Sequence, residues 1–278
     1  MPIRIVQSKQ NTRLKELRRA LANPGRNESG LAGVEGPNLV EEALRAGVRI
    51  ATVFGGQGSE KLIERLKLPP EIEVLMLPRE LLDSALATET PQAIAALVEP
   101  PDWTWAHLLG ADKSAAPLIV VLSGLQDPGN LGTILRSAEA FGADGVVSLP
   151  GTVSAWNPKA VRASAGSVFR VPIVAASEAD AMARLREAGV RIIATTVHGA
   201  KPADIQILSE PIALLIGNEG QGVPADLISK ADGVVTIPCP GPVESLNAAV
   251  ATSVLLYEAS RQRSIQSGGP QDHRRARR

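Results

Sequence analysis

The sequence predicts an α/β protein in two parts, a small mixed unit over residues 1–98 and a larger parallel-sheet unit over 118–262. Two observations carry this reading. From residue 118 onward, short apolar runs alternate with helical patterns, as parallel strands covered on both faces do. Ahead of that rhythm, Glu99-Pro-Pro-Asp-Trp-Thr-Trp105 through Ala116-Pro117 mixes prolines, small residues and exposed-looking tryptophans, which marks 99–117 as a linker.

In the first unit a helix is expected over 8–21, capped near Asn11. Leu14, Leu17 and Leu21 form its apolar stripe, and Lys9, Arg13, Lys15, Arg18 and Arg19 surround it. A strand at 31–34 turns through Glu35-Gly36-Pro37 into a helix over 38–46, closed by Gly47. A strand at 50–54, a helix at 60–66, and a strand, helix and strand at 74–77, 80–87 and 93–98 complete the unit.

In the second unit the apolar runs fall at 118–122, 146–149, 171–174, 191–194, 212–216 and 234–237, with helices over 131–141 and 178–188 among them. After the last run comes Ile237-Pro-Cys-Pro-Gly-Pro-Val-Glu-Ser-Leu-Asn247. Pro238, Pro240 and Pro242 remove three amide donors and Gly241 frees the backbone, so this stretch is a rigid loop. It runs into a helix with Leu246, Val250, Ser253 and Leu256 near one face and Ser245 as the expected N-cap. Residues 263–278 read as a basic, disordered tail.

Composition narrows the class. At 278 residues, 44% hydrophobic and 21% charged, the chain fits a soluble globular protein of one or two domains. No apolar run reaches the length of a membrane span, and the Met-Pro-Ile-Arg start lacks a signal-peptide core. A cytoplasmic protein with no membrane partner is expected. The single cysteine, Cys239, excludes an internal disulfide, and His107, His198 and His273 keep no metal-ligand spacing with it, so no metal is expected. Formal charge is zero but uneven. Residues 1–30 carry seven Lys/Arg against Glu16 and Glu28, and residues 259–278 carry six arginines against Asp272. Basic ends on an acidic body suggest a polyanionic partner.

Ligands of a parallel sheet gather where strands give way to loops. Three such joints stand out. Leu122-Ser-Gly-Leu-Gln-Asp-Pro-Gly-Asn-Leu-Gly-Thr-Ile-Leu-Arg136 holds Asn130 and, nearly two turns into an apolar helix, Arg136, which should face a cleft or an acidic partner. Leu215-Ile-Gly-Asn-Glu-Gly-Gln-Gly222 spaces glycines so that backbone can close on a ligand, with Glu219 in the turn, and it matches neither a P-loop nor a dinucleotide fingerprint. The third is the proline-rich loop, where Ser245 and Asn247 stand at a helix start. Each joint alone is an ordinary feature of α/β proteins.

Together, and in this order, the three resemble the SpoU/TrmH-type RNA ribose 2′-O-methyltransferases of the SPOUT superfamily. The resemblance covers roughly 118–260, and Asn157-Pro-Lys-Ala-Val-Arg-Ala-Ser-Ala-Gly166 also looks like a family segment. Residues 1–98 look, more weakly, like the small RNA-binding domain many members carry. Cys239 departs from a methionine common at that place, which a buried thiol can replace.

The resemblance implies a C-terminal trefoil knot, a homodimer, and S-adenosylmethionine as methyl donor, held by backbone groups around Gly217, Ile237 and Leu246. Asn130, Arg136, Glu219, Ser245 and Asn247 are the matching polar residues about the ribose. Family accounts that make the arginine a general base ask a guanidinium of pKa above ~12 to release its proton, so stabilising an alkoxide or seating a phosphate is the easier task. Lys159 and Arg162, with the basic first helix, are candidate phosphate contacts, and Trp156 a candidate base-stacking surface, each equally consistent with a packing or surface role. The extra domain favours large-subunit ribosomal RNA as substrate. Transfer RNA methylation and an RNA-binding protein without turnover are the alternatives, and the intact polar set argues against the latter.

Overall fold

The computed structural model describes residues 3–22, 27–86, 88, 90–109, 116–197, 201–203, 207–243 and 245–266. The chain sorts into two compact units, one gathering 1–102 with 154–170 and the other 103–153 with 171–278.

In the first unit, β1 (Ile3–Ile5) leads to α1 (Thr12–Ala22). Asn11 caps this helix, its Oδ1 accepting from the Leu14 amide at 3.1 Å. Leu14, Leu17 and Leu21 are buried in one cluster with Phe54, Leu75, Leu77 and Leu97, as the stripe predicts. There follow β2 (Ala32–Glu35), α2 (Pro37–Arg45), β3 (Ile50–Gly56), α3 (Glu60–Arg65), β4 (Glu73–Leu77), α4 (Arg79–Asp83) and β5 (Ile94–Val98). The helix α4 stops short of the expected residue 87, which lies outside the described residues. The Ser84 hydroxyl donates to the Leu81 carbonyl, competing for the acceptor a further turn would use. The strands order as β1-β4-β3-β5-β2, with β5 antiparallel to β3 and β2 and the other pairs parallel. The carboxyl ends of β1, β2, β3 and β4 therefore share one edge, and α1 to α4 all start there.

The second unit opens with α5 (Trp105–Leu109), β6 (Leu118–Leu122), α6 (Pro128–Ala140) and β7 (Gly145–Ser148). Trp103 and Trp105, read as exposed from sequence, are half-buried against this unit's core, and Leu108 is fully buried in it. Beyond β7 the chain enters the first unit, where Pro158–Ala163 form α7 against β2, followed by a 3₁₀ turn at Ser167–Phe169. It returns for β8 (Ile173–Ala175), α8 (Glu178–Glu187), β9 (Arg191–Thr195), β10 (Lys201–Pro202), β11 (Ile212–Ile216), α9 (Ala225–Lys230), β12 (Gly233–Thr236) and α10 (Ala248–Gln266). All seven strands are parallel, ordered β10-β12-β9-β11-β6-β7-β8. The parallel sheet expected from alternating apolar runs is present, and the fully buried residues of β6 and β11 form its centre.

The last helix departs from its sequence reading in three ways. Its cap is Asn247, whose Oδ1 accepts from the Ala249 and Val250 amides at 2.9 and 3.3 Å, so Ser245 lies two residues too early and is exposed. Its buried stripe is Ala249, Thr252, Leu255, Leu256 and Ala259, which leaves Val250 49% exposed. It also runs to Gln266, into what reads as tail. Arg263 explains this, because its guanidinium donates to the carbonyls of Ala116, Pro117, Leu208 and Glu210, fixing the helix end to the starts of β6 and β11. Residues 267–278 lie outside the described residues.

Candidate active site

The site grows from two helix starts and one tight loop of the second unit. At α6, Asp127 is the N-cap, accepting from the Asn130 amide at 2.9 Å, and Pro128 supplies the preset first turn. The helices α6 and α10 run side by side in the same direction. They touch at Asn130 and Asn247, at Ser137 and Ser253 (2.7 Å between hydroxyls), and at Phe141 and Tyr257.

The loop after β11 is held by its own backbone. Asn218 and Gly222 exchange amide–carbonyl bonds of 3.0 and 2.9 Å, and Asn218 Oδ1 accepts from the Gly220 and Gln221 amides. Its Nδ2 donates to the Gly124 carbonyl at 2.8 Å, tying this loop to the one after β6. At Gly217 a Cβ would sit 2.0 Å from the Gly222 carbonyl carbon, so the closeness of the loop's two ends demands glycine. Sequence reasoning did not single out Asn218. The signal was present, since an asparagine between glycines favours a turn closed by its own side chain.

These anchors bring three of the expected polar residues into one chain of hydrogen bonds. The Glu219 carboxylate accepts from the Gln126 amide at 3.2 Å, the Asp127 amide at 3.0 Å and Asn130 Nδ2 at 3.0 Å. Asn130 Oδ1 in turn accepts from Asn247 Nδ2 at 3.0 Å. Burial, the largest single influence on Glu219, raises its pKa. Hydrogen bonds from Asn130, its own amide, Asp127 and Gln126 outweigh it, and the net effect holds the carboxyl below the usual carboxylate range.

Other expected residues lie outside this chain. Arg136 is exposed and makes no ion pair among the described residues, and six positions place it about 120° around α6 from Asn130. Ser245 is exposed, while Ile237 and Leu246 are half-buried on the loop leading to α10. Lys159 and Arg162 are exposed on α7, and Trp156 packs its ring on Phe169 at 5.9 Å between centroids.

A seven-stranded parallel sheet whose strand-end loops meet in a Glu–Asn–Asn chain is an α/β fold with a polar cluster where such sheets place their ligands. Comparisons with known proteins supply the family. The SpoU rRNA Methylase family model matches residues 117–257, and the model for RNA 2′-O ribose methyltransferase substrate binding matches 34–104. The 23S rRNA (guanosine(2553)-2′-O)-methyltransferase RlmP of Bacillus subtilis is 34% identical over 257 residues, 91% of this chain and 97% of that protein. The SpoU methyltransferase AviRb from Streptomyces viridochromogenes, solved with AdoMet, superposes with a TM-score of 0.81 at 30% identity, covering 94% of this chain and 100% of that one. An AdoMet-bound rRNA methyltransferase from Sinorhizobium meliloti gives 0.80 at 30% identity, covering 93% and 98%. The chain belongs to the SpoU rRNA methylase family and is an RNA ribose 2′-O-methyltransferase.

Proposed function

We propose that this protein transfers a methyl group from S-adenosylmethionine to one ribose 2′-hydroxyl of large-subunit ribosomal RNA, acting as a cytoplasmic homodimer whose second unit ends in a trefoil knot. The observation that carries the reading is the hydrogen-bonded chain Glu219–Asn130–Asn247, which joins the loops of all three sequence joints. Ribosomal RNA is favoured by the RlmP relative and by the substrate-binding unit.

The loops fit the donor. Residues 215–222 and 237–247 contain no Lys, Arg or His, and the nearby Glu219 is held ionised, so a sulfonium cation meets neutral backbone and an anion. Backbone around Gly217, Ile237 and Leu246 would hold it. When bound, the donor supplies a methyl group already activated by the positive sulfur.

The chain's own residues then have to align the ribose and stabilise its developing alkoxide. A carboxylate with a lowered pKa is a weak base, so Glu219 positions the Asn130 amide and does not collect the hydroxyl proton. Asn130 and Asn247 each spend one N–H on this chain and keep a second for the substrate. Arg136, exposed and without an ion pair among the described residues, offers a fork of donors to an alkoxide or phosphate, and Ser245 an exposed hydroxyl.

A dimer gains support from one surface. Thr133, Arg136 and Ala140 of α6 open on the same side of the helix pair as Val250, Val254 and Tyr257 of α10, by the helical periodicity of two parallel helices in contact. That exposed apolar face next to the exposed Arg136 suits a second copy. The knot is supported by the family resemblance; Gln262 bonds α10 to Ala203 and Leu208, and Gln266 bonds it to Ser209. No described helix is long and apolar enough to cross a membrane. Mapping 2′-O-methylated riboses in RNA from cells with and without the protein tests the reading. Loss of one ribosomal RNA methyl supports it, and loss from transfer RNA alone would replace the substrate.

A further inference from the structure

Between β6 and α6 the chain turns through residues 123–127, and one residue of that turn is held from both sides. Gly124 stands there at φ 68°, a backbone conformation that favours glycine. Its amide donates to the Thr152 hydroxyl at 3.2 Å, and its carbonyl accepts from Asn218 Nδ2 at 2.8 Å. Thr152 follows β7 and Asn218 follows β11, so the two strands that flank β6 in the sheet each lead to one fastening.

The fastening after β7 is more than a single bond. The Thr152 hydroxyl also donates to the Leu122 carbonyl at 3.0 Å, which spends its only proton on the same turn. The Val153 amide donates to the Leu125 carbonyl at 2.8 Å, and the Leu125 side chain is fully buried. A Cβ on Gly151 would stand 3.5 Å from the Gly124 Cα, so the two loops lie close along their backbones. Residues 151–153 thus brace the segment that leads into α6.

That segment carries the two amides that fix Glu219. Gln126 and Asp127 donate to its carboxylate at 3.2 and 3.0 Å, beside the 3.0 Å bond from Asn130 Nδ2. Gln126 lies only two residues beyond Gly124. A turn that loses its hold on Gly124 can shift these amides, and hydrogen bonds weaken steeply as their geometry degrades. The Thr152 hydroxyl, by contrast, has both its described bonds to backbone of the turn and none to Glu219, Asn130 or Asn247.

We propose that Thr152 is a positioning residue for methyl transfer: its hydroxyl holds the turn at Gly124 so that the Gln126 and Asp127 amides keep Glu219, and through it Asn130, in place. The inference rests on the Glu219–Asn130–Asn247 site proposed above and adds to it a residue from a further loop, the one after β7.

The test measures single-turnover methyl transfer by the full-length protein, with saturating S-adenosylmethionine and in vitro transcribed large-subunit ribosomal RNA. Thr152→Val keeps the shape and loses the hydroxyl, and Thr152→Ser keeps the hydroxyl. Thr152→Val should be roughly tenfold slower, with donor and RNA affinities within about twofold of wild type, and Thr152→Ser should stay within about threefold of the wild-type rate. The Gly124, Gln126 and Asp127 amides should exchange faster with solvent in Thr152→Val and not in Thr152→Ser. Because Thr152 acts through Glu219, adding Thr152→Val to Glu219→Gln should slow transfer further by no more than about twofold. If Thr152→Val does not fold, Thr152→Ala, whose smaller side chain lets water reach the freed Gly124 amide, takes its place in the same comparison. An equal loss in both backgrounds marks a merely structural threonine and overturns the proposal, as does a hydroxyl-free variant within about twofold of the wild-type rate. Unchanged turnover in Glu219→Gln alone would sink the site reading itself, a separate result.

Discussion

Asn247 donates from Nδ2 to Oδ1 of Asn130 across 3.0 Å, joining two helix starts that lie 117 residues apart in the chain. The same Asn247 uses its other amide atom, Oδ1, to cap α10. One side chain therefore both caps a helix and belongs to the proposed site, and the two duties can be separated by substitution.

Asn247→Asp keeps an oxygen for the cap and loses the donor to Asn130. Thermal unfolding should show stability within about 0.5 kcal/mol of wild type, while turnover falls by roughly tenfold or more. Asn247→Ala loses both, and should cost about 1 kcal/mol in addition to activity. Asn247→Asp turnover within about twofold of wild type would mean that the Asn130 bond has no part in transfer.

Glu219 predicts a pH dependence. Its folded pKa is lowered, so its bonds to the Gln126 and Asp127 amides and to Asn130 stabilise the loop above the carboxylate range. That contribution is lost as pH falls through the lowered value. Urea midpoints measured from about pH 6 down to about pH 3 should fall less steeply for Glu219→Gln than for wild type. Parallel curves would show that the carboxylate bonds do not persist in solution.

Gly217 has no room for any side chain. Its Cβ would meet the Gly222 and Val223 backbone at 2.0 and 2.1 Å, so Gly217→Ala should distort the loop itself, without any larger group being needed to obstruct a cleft. Calorimetry should show donor affinity reduced by about tenfold or more, with a lowered Tm. Unchanged affinity would place the donor elsewhere.

Arg136 should be dispensable for folding, being exposed and without an ion pair among the described residues. Arg136→Lys should leave Tm and donor affinity nearly unchanged and cut single-turnover transfer by roughly 100-fold, the scale of losing one oriented donor. A rate within about threefold of wild type would make it a surface residue.

The strands of the parallel sheet were legible because they are buried on both faces and read as unbroken apolar runs, with β6 and β11 falling at the expected residues. The stripe of α1 was legible for a different reason, the helical spacing of Leu14, Leu17 and Leu21. Less visible was the cap of α10, since Ser245 and Asn247 are both good caps and only the path of the loop decides between them. The tail reading missed Arg263, whose carbonyl partners lie 53 to 147 residues away in the chain. The residues of the proposed site were visible as a pattern, but the bonds linking Glu219, Asn130 and Asn247 depend on three loops meeting, which no local spacing reveals.

The most direct measurement is methyl transfer itself. Purified protein, methyl-labelled S-adenosylmethionine and in vitro transcribed large-subunit ribosomal RNA are incubated, and the RNA is digested to nucleosides. The account predicts label in a single 2′-O-methylnucleoside of that RNA. Label on a base, or RNA that binds the protein and acquires no methyl group, would contradict it.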